Sequence, residues 1–206
     1  QTAAPGYPEL AVKNLAELTG IDFKNSEDLI AATSDCGAYM TLSSAIKGLA
    51  VKMTKVCNDI RLLASGPRCG LKEINLPQLQ PGSSIMPGKV NPVAAEVANQ
   101  ASFLAIGLDT TVMLAASAGQ LELNVMEPVI TFALYTQMKV MTNACDTLRT
   151  KLVEGVTANT ERCKDYVMNS IGIVTLLKPH FGYQKCAAIA KEGYTTGKSL
   201  HQIVVD

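Results

Sequence analysis

Residues 42–63 read LSSAIKGLAVKMTKVCNDIRLL, and their spacing decides the fold class. Leu42, Ile46, Leu49, Met53, Val56, Ile60 and Leu63 recur at intervals of four and three, the period of one face of an α-helix packed against partner helices. Upstream, Ser26 reads as an N-cap with Glu27 and Asp28 in the first turn. Downstream, Gly66-Pro67 stops the helix near Ala64. A helix of roughly 40 residues would be about 60 Å long. That exceeds what one compact domain covers, so partner helices are expected, unless Gly37 or Gly48 breaks the helix.

The same period returns at Ile130, Leu134, Met138, Met141, Cys145, Leu148 and Leu152, in a helix that begins near Glu127-Pro128 and is closed by Gly155. Between the two seams, residues 65–91 hold four prolines and four glycines and read as loop. Asn91 is then placed to cap a helix, with Pro92 at its first position, running to about Ser117. A short helix is expected from about Glu9 to Leu18. No long run alternates as a strand does. The fold class is therefore all-α, a long-helix bundle. After Val156 the style changes: Asn159 or Thr160 starts a short helix, Pro179 and Gly182 interrupt the chain, and Ser199 caps a last short helix. The expected domains are 1–157, a helical bundle, and 158–206, a small helical C-terminal domain.

Composition excludes several function classes. The 206 residues carry 18 basic and 18 acidic side chains, a net charge of +0, which disfavours nucleic acid or an anionic membrane as partner. Hydrophobic residues make up 48%, yet no uninterrupted apolar run of bilayer-spanning length is apparent. Cys36, Cys57, Cys69, Cys145, Cys163 and Cys186 form no C-x-x-C pair and read as reduced core residues, which points to the cytoplasm. With His180 and His201 as the sole histidines, no zinc cluster is indicated. The run Thr195-Thr196-Gly197-Lys198-Ser199 mimics the end of a phosphate loop, but Glu192 stands where its first glycine belongs and no strand precedes it.

Chemistry concentrates in Gly82-Ser83-Ser84-Ile85-Met86-Pro87-Gly88-Lys89-Val90-Asn91-Pro92. Two hydroxyls, an ammonium and an amide lie directly before a helix N-terminus, where free backbone N–H groups attract anions. Such a loop suits a carboxylate, and an environment rich in donors can hold a serine as the alkoxide, making it a base. Gly82 and Gly88 flank the loop and would let it close over substrate.

This loop resembles the signature of the aspartase/fumarase superfamily of lyases, G-S-S-x-M-P-x-K-x-N-P, with every fixed position met, including Gly82 and Met86. The resemblance extends over essentially the whole chain. Glu73-Ile74-Asn75-Leu76-Pro77, Glu96-Val97-Ala98-Asn99-Gln100, Glu122 to Val129, Asn169 to Thr175 and Thr196 to Leu200 are similar to the aspartase branch. His180-Phe181-Gly182-Tyr183 leans toward the fumarase branch, and Ala95 stands where aspartases commonly have proline.

The resemblance implies reversible anti-elimination of ammonia from L-aspartate to give fumarate, with no cofactor and no metal. It implies Ser83 as the base that removes the Cβ proton. Ser84, Lys89 and Asn91 would bind the substrate carboxylates, and Lys89 would also stabilise the aci-carboxylate intermediate. Glu96 corresponds to the carboxylate paired with an active-site histidine in the fumarase branch; its plain reading is charge complementarity at a helix start. The alternatives are a class II fumarase, acting on L-malate, and a non-enzymatic helical assembly module.

The resemblance further implies a homotetramer whose active sites are each shared by three subunits. The chain corresponds to the second half of the family's central domain plus a truncated C-terminal domain. The family's T-x-S, S-S and T-x-H substrate segments have no counterpart here, and neither histidine stands in their place. The chain alone is expected to be inactive.

Overall fold

The structure is a computed structural model that describes residues 3–205. It is all-α: α1 (Tyr7–Thr19), α2 (Ala31–Ser34), α3 (Gly37–Leu63), α4 (Val93–Ser117), α5 (Glu127–Lys151), α6 (Thr160–Met168), α7 (Lys178–Thr196) and α8 (Leu200–Val205). Two-residue strands β1 (Ile74–Asn75) and β2 (Thr157–Ala158) pair antiparallel, Ile74 opposite Ala158 and Asn75 opposite Thr157. So short a ladder leaves no period-two signal in the sequence.

The chain forms two compact units. One holds residues up to Val51 together with Ser102–Met141; the other holds Lys52–Ala101 and Thr142 onward. The division falls within α3, α4 and α5.

In the first unit the expected start of the long helix is corrected. Ser26 does not cap it; its hydroxyl donates to the Asp28 carbonyl at 2.9 Å. Asp28 instead accepts the Ile30 and Ala31 amides at 2.9 and 3.0 Å, starting the four-residue α2. Asp35 is extended at ψ 116 and accepts the Gly37 amide at 2.8 Å. Two aspartates thus offer the backbone local bonds that compete with helix. α3 begins at Gly37, the break left open above, and its 27 residues make it about 40 Å long.

The buried stripe of α3 is also shifted. Leu42 and Leu49 are exposed, while Ser43 and Ala50 are fully buried. Small residues let a neighbouring helix approach closely, so they take the packed face. Among them sits Asp109 of α4, buried, accepting Ser43 Oγ at 2.8 Å and Lys47 Nζ at 2.5 Å. Burial alone would raise its carboxyl, but bonds from Lys47 and Ser43, with the Lys47 charge, outweigh that and hold it below the usual carboxylate range. Cys36, Val112, Ala115, Ile130, Ala133 and Leu134 form the apolar core of this unit. Asn124 fastens the α4–α5 turn: it donates to the Ala115 and Ala116 carbonyls and accepts the Met126 amide.

α4 is 25 residues long with a mean hydropathy of 1.2 over its most apolar window. By length and composition alone it could cross a bilayer, although Glu96 and Asp109 interrupt its apolar run. The same composition suits a helix packed among helices on several sides.

In the second unit Met53 and Cys57 of α3 are buried, and Val56 is exposed. Of the six cysteines, Cys36, Cys57 and Cys186 are core residues; Cys69 and Cys145 are exposed and Cys163 is half-buried, so the core reading held for three. All six are free thiols. A small cluster of Val174, Cys186 and Leu200 joins the C-terminal helices. α7 bends at Gly182, where φ is 74. Ser199 and Gln202 cap α8 reciprocally, the serine hydroxyl accepting the Gln202 amide while Gln202 Oε1 accepts the Ser199 amide.

Candidate functional site

The loop 82–92 is closed on itself before it reaches α4. The Gly82 amide donates to the Lys89 carbonyl at 3.0 Å, and the Asn91 side-chain amide donates to the Gly82 carbonyl at 2.8 Å. Both polar groups of Gly82 are thereby used. A Cβ built on Gly82 would fall on the Lys89 carbonyl, so this position requires glycine for space. Gly88 turns the chain with φ 78, a conformation other residues rarely take.

Asn91 corrects the sequence reading. Its side chain is engaged with Gly82 and does not cap α4. The Pro92 carbonyl accepts the Glu96 amide at 3.0 Å, so Pro92 is the cap residue and Val93 is the first helical position, one later than expected. Proline carries no amide hydrogen, and an unpaired donor is absent there at no cost.

Ser83 Oγ accepts two backbone amides, from Ile85 and Met86, each at 3.1 Å. These bonds strengthen when the oxygen carries negative charge, so they favour the alkoxide over the hydroxyl. Ser83 is half-buried, while Ser84 and Lys89 are exposed. The Met86 carbonyl also accepts the Lys89 amide at 3.3 Å, so Met86 links the serine end of the loop to the lysine end. The loop thus brings Gly82, Ser83, Met86, Lys89 and Asn91 into one bonded unit.

Glu96 is not part of that unit. It lies one turn into α4, half-buried, and lines a cleft of about 530 Å³ with Leu79, Gln80, Gln100, Thr147 and Lys151. Ser83, Ser84, Lys89 and Asn91 do not line this cleft. Gln80 and Lys151 were not singled out by the sequence, and Gln100 stood there only in a stretch similar to the aspartase branch. Lys151 ends a helix distant in the chain, and only tertiary packing brings it to the cleft that Glu96 also lines.

Comparison with known proteins places the chain in a family. The family described as Lyase matches residues 1–107, and that described as Fumarase C C-terminus matches 173–206. An aspartate ammonia-lyase of Escherichia coli K12 is 58% identical over 200 residues, 97% of this chain and 42% of that protein. One from Helicobacter pylori is 55% identical over 202 residues, covering 98% and 43%. Among solved structures, a fumarate lyase:delta crystallin from Brucella melitensis superposes with a TM-score of 0.93 at 43% identity, covering 98% of this chain and 44% of that one. A class II fumarase from Schistosoma mansoni gives a TM-score of 0.91 at 34% identity, covering 98% and 46%. This chain spans less than half the length of these relatives. With a matching signature loop, a matching helical fold and these identities, the chain belongs to the lyase family of the aspartase/fumarase superfamily.

Proposed function

We propose that this chain is part of an aspartate ammonia-lyase that eliminates ammonia from L-aspartate reversibly to give fumarate. The observation that carries the reading is the pair of amides on Ser83 Oγ. Two donors on the oxygen favour the alkoxide over the hydroxyl, which suits a general base. Ser83 takes the Cβ proton, and the C–H electron pair moves into the adjacent carboxylate as a doubly charged aci-carboxylate. Lys89, exposed beside it, meets charge that exists only after proton transfer, which is where stabilisation accelerates the step. The pair then returns to form the double bond as the C–N bond breaks and the nitrogen leaves with its electrons. Ser84 and the remaining donor of Asn91 hold the carboxylates. Gly82 and Met86 hold the loop, and Glu96 faces the neighbouring cleft as a partner for a group from elsewhere in the assembly.

Ammonia rather than water is favoured because relatives at 50–58% identity are aspartate ammonia-lyases, while the class II fumarase is 34% identical. In this reading residues 1–157 belong to a central helical domain and 158–206 to a C-terminal domain. The apolar faces left open by Val97, Leu104 and Leu114 of α4 are covered by helices of a homotetramer. Six free thiols support a reducing, cytoplasmic setting. The test is fumarate formation, followed by its ultraviolet absorbance, from L-aspartate and from L-malate. The chain extended to the length of its relatives should act on L-aspartate, and the 206-residue chain alone on neither. A preference for L-malate, or turnover by the short chain, would sink the reading.

A further inference from the structure

Three consecutive carbonyls upstream of the signature loop are held by one face of α6. Tyr166 Oη donates to the Leu71 carbonyl at 3.0 Å, and Asn159 Nδ2 to the Lys72 carbonyl at 2.9 Å. The Asn159 amide donates to the Glu73 carbonyl at 2.8 Å, reinforced by Cys163 Sγ at 3.5 Å. Arg162 lies over the Tyr166 ring at 4.6 Å, and its Nε donates to the same Leu71 carbonyl at 3.4 Å. Asn159 occupies the N-cap of α6, yet its side chain makes no cap bond. A residue suited to capping is committed to a segment 87 residues away.

The held segment leads straight to the active loop. After Glu73 the chain enters β1, paired with β2, and then Leu76 and Pro77 line a small cleft with Pro92, Val93 and Leu152. Gly155 lies so close to the Pro77 ring that a Cβ there would collide with it. Lys72 has φ 53, a left-handed conformation unfavourable to a side-chain-bearing residue, so this strand entry must be held from outside.

We infer that Asn159 and Tyr166 are positioning residues for the signature loop, acting through residues 71–77 on its exit at Pro92. This rests on reading 82–92 as the active loop. In the chain as it is, amide exchange at Ile85 and Met86 reports loop closure without substrate or turnover. Asn159→Asp keeps the shape and the capping capacity while losing the donor; Tyr166→Phe loses only the hydroxyl. Each should speed exchange across 82–91 about fivefold, the effect of one lost hydrogen bond, with Val112 and Ile130 unchanged. Faster exchange confined to 71–75, or spread equally through all helices, would overturn the inference. In the extended enzyme both variants should lower kcat and leave the shape of its pH profile unchanged, since neither removes a donor to Ser83 and the closed loop stays the populated form. A Ser83→Ala variant with undiminished kcat would instead overturn the assignment of Ser83 as base, independently of the exchange result.

Discussion

Gly82 and Asn91 are joined by a 2.8 Å hydrogen bond from the asparagine amide to the glycine carbonyl, nine residues apart, across the mouth of the loop that carries Ser83 and Lys89. With the Gly82 amide bonded to Lys89, the loop is tied at its neck and free at its tip, where Ile85 is 86% exposed.

Gly82→Ala should therefore open the neck. The added methyl would meet the Lys89 carbonyl, backbone rather than a yielding side chain. We expect the loop amides to lose protection while α4 keeps its own, and the extended enzyme to lose about two orders of magnitude in kcat from misplaced groups. Hydrogen exchange and initial rates check this; wild-type protection in the variant would contradict it.

Ser83→Ala removes the acceptor of two amides and the proposed base. The extended enzyme should fall about 10²–10⁴-fold in kcat, the usual range for a general base. Its KM for L-aspartate should change little, because the proposed carboxylate ligands Ser84, Lys89 and Asn91 remain. A loss appearing mainly in KM would assign Ser83 to binding.

Asp109 titrates below the usual carboxylate range in the folded protein, despite its burial, because Lys47 and Ser43 donate to it. A folded pKa below the unfolded one contributes stability that is complete above the unfolded value, near 4, and is lost as pH falls through the folded value. The urea midpoint should drop on acidification below about pH 4. Asp109→Asn should lower it at pH 7 and flatten that acid dependence. Lys47 is partly exposed, so Lys47→Met should cost only about 1 kcal/mol. An unchanged acid slope in Asp109→Asn would place the acid sensitivity elsewhere.

Thiol labelling should divide the cysteines by burial. Cys69 and Cys145 are exposed and should react first with a maleimide. Burial pushes the Cys36 and Cys57 thiols up, with Glu127 and Asp35 adding to the effect at Cys36, so both should stay unlabelled until the protein unfolds. Peptide mapping reads the order, and early labelling of Cys57 would refute the buried packing of α3.

Much of this molecule is legible in its sequence because helical periodicity is local. The ends of α5 at Glu127 and Lys151 and the start of α6 at Thr160 follow from breakers and caps a few residues away. The loop 82–92 declares itself by composition. What escaped was set by distant partners. Whether Leu42 or Ser43 faces the core depends on how closely α4 approaches, and both choices share one period. Asn91 and Asn159 read as caps from their neighbours alone. In the fold each spends its amide on a carbonyl, Gly82 in one case and Lys72 in the other. Lys151 meets the cleft of Glu96 only after the chain has folded back.

The two donors on Ser83 come from the second and third residues after it. They are tethered to the serine by so few bonds that a swing of the whole loop carries oxygen and donors together. The acidity of that hydroxyl is then a property the loop transports, while distance to substrate is what its motion changes. With Ser83 as the proposed base, reactivity and delivery are separable: a loop caught open would still hold the oxygen between its two donors, with nothing within reach to deprotonate.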